Sequence, residues 1–260
     1  MENLFIYLLL GSFSGVLAGL LGVGGGLIIV PVLTWIFTTQ NFSSEIFMHL
    51  AVGTSLATII PTSISSVRAH HRKSAVLWPV FFSLAPGIIL GALSGAIIAK
   101  QLPGSNLKII FAIFELLIAT QLFFGIKPHP ARQLSSTFSQ ASAGTIIGTI
   151  SAIVGIGGGS LTVPYLLWHN TKIQSAIATS SACGLPIAIA GTAGFIITGW
   201  SSNLPEYSTG FVYWPAFISI AFCSIIFAPL GAHWAHKIND QKLKKGFAVF
   251  LFIIGIKMLM

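Results

Sequence analysis

Gly22-Val23-Gly24-Gly25-Gly26-Leu27-Ile28-Ile29-Val30-Pro31 interrupts an apolar stretch that runs from residue 4 to residue 38. Gly155-Ile156-Gly157-Gly158-Gly159-Ser160-Leu161-Thr162-Val163-Pro164 does the same within residues 138–168. Both stretches exceed the roughly 20 residues that one simple transmembrane helix needs. In each, a proline stands five residues beyond the last glycine. The echo continues outward in unchanged order. Thr54-Ser55 with Pro61 returns as Thr179-Ser180 with Pro186, and Trp78-Pro79 with Gly95 returns as Trp214-Pro215 with Gly231. Leu107-Lys108 with Phe111-Ala112 and Phe114 returns as Leu243-Lys244 with Phe247-Ala248 and Phe250. Such ordered self-similarity marks an internal duplication, here residues 1–126 and 127–260, together one transmembrane domain.

Composition decides the solvent. Of 260 residues, 54% are hydrophobic and 7% charged, against roughly a quarter charged in soluble domains. So few charges cannot cover a water-facing surface. The net charge of +8 does not point to nucleic acid, because the basic residues sit in short joints between apolar segments, where they set membrane orientation. Cys183 and Cys223 both lie inside apolar segments, so a disulfide framework is not expected. Met1-Glu2-Asn3 lacks the basic start of a secretory signal, and the first helix is read as part of the mature chain.

Apolar stretches fall near 4–38, 47–66, 75–99, 104–125, 138–168, 174–200, 211–235 and 243–260. Helices are expected, since hydrocarbon cannot satisfy an exposed backbone. If every stretch crossed once, basic residues would divide almost equally between the two faces. If each glycine break reverses the chain, 4–38 and 138–168 become hairpins. Arg68, Arg72, Lys73, Lys127, Arg132, Lys172, Lys237, Lys242, Lys244 and Lys245 then share one face. Glu2, Glu45 and Glu206 share the other, with Lys100 and Lys108 as exceptions. The positive-inside tendency favours the second arrangement. The fold expected is therefore an all-α integral membrane protein of two inverted repeats, each a glycine-broken helical hairpin followed by three transmembrane helices. The basic loops, including 68–73 and 237–245, are expected to be cytoplasmic in a multi-pass protein of the plasma (inner) membrane, with both termini outside.

Glycine-rich breaks allow close approach of a ligand to the backbone, and successive N–H groups form anion-binding concavities. The half-helices beginning near Leu27 and Ser160 would add partial positive charge at their N-termini. Gly22, Gly24, Gly25, Gly26, Gly155, Gly157, Gly158, Gly159 and Ser160 are thus candidate substrate ligands. The competing reading is tight helix packing by small residues. Recurrence in both halves favours a site, because unwound backbone at membrane depth is tolerated mainly around cavities. Thr54, Ser55, Thr179 and Ser180 offer hydroxyls on the following helices, or bond only to their own helical turn.

Glu115 lies near the middle of an apolar span, where a carboxylate is costly and a functional suspect. It is a candidate for proton coupling, although Leu251 stands at the matching position of the second repeat and a protonated, buried role competes. The histidines mostly sit at span ends, and the spacing of His233 and His236 is weak evidence for a metal. No nucleophile with a plausible base, metal-binding helix motif or phosphate-loop lysine is recognisable. Neither enzyme, cofactor nor resident metal is expected.

With Gly53-Thr54-Ser55 and Ala178-Thr179-Ser180 beside the two glycine motifs, the chain resembles the sulfite exporter TauE/SafE family of membrane permeases over essentially its whole length. The resemblance implies a plasma-membrane transporter for sulfite, sulfonates or related sulfur-containing anions, with the glycines and Thr-Ser pairs as its site. The reading is a secondary transporter in which an oxyanion sits between two opposed hairpin tips while the repeats rock or gate around it. A passive channel for a small solute and a non-transporting scaffold are the alternatives. The partners expected are a small anionic substrate and the lipid bilayer, with no nucleic acid; a homodimer is left open.

Overall fold

A computed structural model describes residues 4–21, 24–125, 136–234 and 240–260. Gly22 of the first glycine motif lies outside them, as do Glu2, Lys127, Arg132 and Lys237 of the charge pattern. The first break separates α1 (Leu4–Leu21) from α2 (Gly26–Thr39). Three longer helices follow, α3 (Phe47–His71), α4 (Trp78–Gln101) and α5 (Gly104–Phe124). The second half repeats the order with α6 (Thr137–Val154), α7 (Gly159–Trp168), α8 (Ile173–Gly199), α9 (Trp214–Trp234) and α10 (Asp240–Leu259). A short antiparallel pair, β1 (Ser208–Thr209) and β2 (Val212–Tyr213), precedes α9. Among the described residues, six helices are long and apolar enough to cross a membrane, with α1 and α2 as shorter apolar helices. Large apolar side chains such as Phe82, Leu90, Leu117 and Ile146 are exposed on the outside of the bundle, as suits a lipid-facing belt.

Local chemistry explains the boundaries. Trp78-Pro79 opens α4 because proline in the first helical turn forfeits no hydrogen bond. Pro61 and Pro186 lie inside α3 and α8, where a membrane helix re-satisfies the freed carbonyl through its neighbours.

Glycine seams set the packing. Gly87, Gly91 and Gly95 of α4 meet the backbone of Ala141, Thr145 and Thr149 of α6 in turn. Gly11 and Gly15 of α1 meet Ile220 and Ser224 of α9. Both pairs therefore run parallel, their backbones close enough that a methyl group would clash, as at small-residue interfaces in membranes. Thr54 and Thr62 of α3 meet Tyr213 and Ser224, so α3 runs with α9. Leu77 meets Thr179 and Ala96 meets Gly194, so α4 runs with α8. Across the centre, Gly53 meets Phe195, Leu56 meets Gly191 and Ser63 meets Gly184, so α3 and α8 run antiparallel. Thr34, late in α2, reaches Met48 at the start of α3, so α2 folds back along α3.

Candidate functional site

The first break turns through Gly24 and Gly25, whose φ angles of 77° and 80° lie in the left-handed region that glycine occupies without strain. Gly25 caps α2, its carbonyl accepting from the N–H groups of Ile28 and Ile29 at 3.0 and 3.1 Å. In the second half α6 ends at Gly155, where Ile156 N–H donates to the Ser151 carbonyl and Gly155 N–H to that of Ala152. This is the double bond pattern of a glycine-terminated helix. Gly158 then caps α7, its carbonyl accepting from Thr162 N–H at 2.7 Å.

The two breaks touch each other. A methyl group on Gly24 would lie 3.0 Å from the Cα of Gly157, and one on Gly26 would run into the Gly155 carbonyl. Ser55 Oγ donates to that same carbonyl at 2.8 Å. A methyl on Gly158 would lie 2.9 Å from the Ser180 carbonyl and 3.2 Å from the Gly184 nitrogen. The crossing is beside Ile59, midway along α3. Both α2 and α7 begin there, each presenting first-turn N–H groups that lack intrahelical partners.

A cavity of about 10 Å³ lies at the crossing, bounded by Gly24, Gly157 and Gly158 on the backbone side and by Thr62, Ser63, Ser66 and Ser181 on the other. It has room for about one water molecule, and among the described residues no charged side chain lines it. Thr62 is already engaged, donating to the Thr58 carbonyl at 2.7 Å and, with its one proton so used, accepting from Ser224 Oγ at 2.7 Å. Ser66 is 3% exposed, and its hydroxyl has no hydrogen-bond partner among the described residues. The Ser160 hydroxyl in the first turn of α7 is buried and likewise unpartnered. The site can thus offer N–H and O–H donors to an anion without any cation. Among the described residues, no three His, Cys, Asp or Glu side chains stand together as a metal site.

Of the residues expected from sequence, Gly24, Gly25, Gly26, Ser55, Gly155, Gly157 and Gly158 converge, and Gly159 and Ser160 begin the adjoining helix. Ser180 sets its carbonyl against Gly158, while its hydroxyl donates to the Ile177 carbonyl on its own helix. Thr54 and Thr179 do something else. Thr54 Oγ1 accepts the N–H of Tyr213 at 3.0 Å, and Thr179 Oγ1 accepts the N–H of Leu77 at 2.9 Å. Each threonine thus caps the Trp-Pro helix of the opposite half. Glu115 lies apart on α5, 0% exposed, both carboxyl oxygens without a partner among the described residues. Leu251, its counterpart, is equally buried. Sequence reading missed Thr62, Ser63, Ser66 and Ser181. The signal was present as hydroxyls every three or four residues at Ser55, Thr58, Thr62 and Ser66, the spacing of one helix face.

The family description "Sulfite exporter TauE/SafE" matches residues 7–258. This chain belongs to the sulfite exporter TauE/SafE family. It is a family of membrane transporters. A "Probable membrane transporter protein" of Haemophilus influenzae is 37% identical over 257 residues, covering 98% of this chain and 97% of its own length. The "Probable membrane transporter protein MJ0441" of Methanocaldococcus jannaschii is 26% identical, covering 98% and 95%. YunE of Bacillus subtilis, also named a probable membrane transporter protein, is 29% identical, covering 75% and 78%. No solved structure matches the chain. In this TauE/SafE member the duplicated glycine motifs form the central crossing, not two separate surface turns.

Proposed function

We propose that this chain is a secondary transporter for a small oxyanion, sulfite or a sulfonate or a related sulfur-containing anion, held at the glycine crossing during alternating access. One observation carries the reading: a hydroxyl-bearing cavity at mid-bundle where two helix N-termini meet, with no charged side chain lining it and no protein partner for the Ser66 hydroxyl among the described residues. Donors without a buried cation bind an anion through partial charge and release it more readily than a lysine or arginine would. At about 10 Å³ the cavity admits no polyatomic anion, so the crossing opens to load it. The family description supports the sulfur-containing anion.

The two halves are related as inverted repeats. In support, α3 is antiparallel to its counterpart α8, and α1 and α4, tied to α3 and α8 through parallel seams, oppose their counterparts α6 and α9. Inverted repeats built around interrupted helices are the recurrent plan of secondary transporters. Arg68, Arg72, Lys73, Lys172 and Lys245 stand at one end of these helices, and Glu45 and Glu206 at the other together with Lys100, Lys108 and Lys257. That separation favours a cytoplasmic basic end and outward termini. Glu115 is the proposed proton-coupling group, a carboxyl at mid-span with no structural partner among the described residues.

Flux measured in proteoliposomes holding the full chain tests the proposal. Saturable sulfite or sulfonate movement, inhibited by competing anions, is the expected result. Non-saturating flux makes the protein a channel, and no flux for any anion in the panel makes it a scaffold. Reporter tags at both termini test orientation; a cytoplasmic N-terminus overturns the hairpin parity.

A further inference from the structure

A second and much larger cavity, about 540 Å³, opens between α2, α5 and α10 at the end of the bundle that carries Glu45. Its walls are mainly apolar, built from Trp35, Phe42, Phe47, Ile254 and Met258. Lys108 of α5 and Lys257 of α10 also line it, and among the described residues no aspartate or glutamate does. These lysines come from different halves and do not correspond under the duplication, where Lys108 matches Lys244. Lys108 is also one of the basic residues that break the charge separation between the two faces, and Lys257 lies at the same end. Two cations on the sparsely basic face thus converge on one apolar groove.

We propose that this groove holds one anionic phospholipid, its phosphate between Lys108 and Lys257 and an acyl chain along the Trp35, Phe42 and Phe47 wall. The volume and apolar lining exceed what a hydrated inorganic anion can fill, and such pockets are typical of ligands with a large hydrophobic body. The surrounding helices are themselves lipid-facing, with Trp35 and Lys257 both exposed, so the bilayer supplies the occupant directly. Lysine ammonium groups at the membrane surface attract anionic headgroups. The groove also touches the transport machinery, because its wall includes Pro31 and Trp35 of α2, the helix that begins at Gly26 in the crossing. The inference stands independently of the identity of the transported anion.

Native mass spectrometry of the delipidated full chain, titrated with phosphatidylglycerol or phosphatidylcholine, tests it. One tightly retained phosphatidylglycerol is expected, with phosphatidylcholine at least tenfold weaker. K108Q/K257Q should weaken phosphatidylglycerol about thirtyfold, taking roughly fivefold per lysine, while K108R/K257R restores it. Lys100→Gln, on the same face but outside the groove, should change nothing. Equal retention of both lipids, or no effect of the double glutamine variant, overturns the proposal. So does displacement by millimolar inorganic phosphate, which would make the groove a free-anion site. A lipid-free dimer lost in K108Q/K257Q would assign it to a second copy of the chain. Should the glutamine variant fail to fold, the lipid comparison on the unaltered chain and on the arginine variant still decides.

Discussion

Ser66→Ala should raise stability and weaken the anion at once, two effects that a purely structural serine cannot produce together. The Ser66 hydroxyl is buried in the cavity wall with no partner among the described residues. A buried hydroxyl left unsatisfied costs about 1–3 kcal/mol, and alanine removes that cost while losing the packing of a single oxygen. A net gain of about 0.5–1 kcal/mol raises Tm by about 1–4 °C in a chain of this size. In the loaded state the same hydroxyl donates to an anion, and a hydrogen bond to a charged group contributes about 1.5–3 kcal/mol. Its loss raises the apparent KM for sulfite roughly 10- to 150-fold. The measurements are thermal unfolding of the purified protein and initial-rate flux in proteoliposomes. Thr62→Val is the contrast: it removes bonds already made to Ser224 and Thr58, so Tm falls. A lower Tm with unchanged KM for Ser66→Ala would refute the reasoning, since Ser66 would then be satisfied within the protein and idle toward substrate.

Gly158→Ala places a methyl 2.9 Å from the Ser180 carbonyl at the cavity wall, whereas Gly95→Ala places one 2.5 Å from the Thr149 carbonyl in the α4/α6 seam. Overpacking costs about 1–3 kcal/mol in either place, but flux per folded molecule should fall more than tenfold only for Gly158→Ala; equal losses would reduce the glycines to packing. Thr54→Val and Thr179→Val each take the acceptor from a partly buried N–H, of Tyr213 and Leu77 respectively, and should destabilise by similar amounts, about 0.5–1.5 kcal/mol, in chemical unfolding. A KM rise beyond tenfold in either would instead return that threonine to the substrate. Glu115→Gln should leave folding and anion counterflow intact while abolishing accumulation driven by a pH gradient; unchanged accumulation removes Glu115 from coupling.

The helical, membrane-spanning character and the two glycine breaks were legible because their signals are local. A run of glycines breaks a helix wherever it occurs, and long apolar runs need no tertiary context to be read as spans. The side-chain roles were less legible because they depend on which turn of one helix meets another. Thr54 and Ser55 are neighbours in sequence but point about 100° apart on the helix. Ser55 therefore reaches the second break at Gly155, while Thr54 faces α9 and caps it at Tyr213. The cavity hydroxyls lie two to three turns further along α3, at Thr62, Ser63 and Ser66, a displacement set by how deeply the hairpins insert. The β1/β2 pair is only two residues per strand, too short for any periodicity.

The helix pairings also determine which parts can move against each other. Motion between residues 1–126 and 127–260 would have to break both glycine seams, α1 with α9 and α4 with α6, and both reciprocal caps, because each joins one half to the other. A cheaper division runs through the centre. Helices α1, α3 and α9 form one block through the first seam and the Thr54 cap; α4, α6 and α8 form another through the second seam and the Thr179 cap. Between them lies the antiparallel contact of α3 with α8, where Gly184 and Gly191 pack against Ser63 and Leu56 side chains. The cavity divides along the same line, with Gly24, Thr62, Ser63 and Ser66 on one side and Gly157, Gly158, Ser181 and Gly184 on the other. The bond from Ser55 to the Gly155 carbonyl spans the division. In the proposed alternating access, each moving body therefore takes helices from both halves of the chain, and the proposed anion site opens when that hydroxyl lets go.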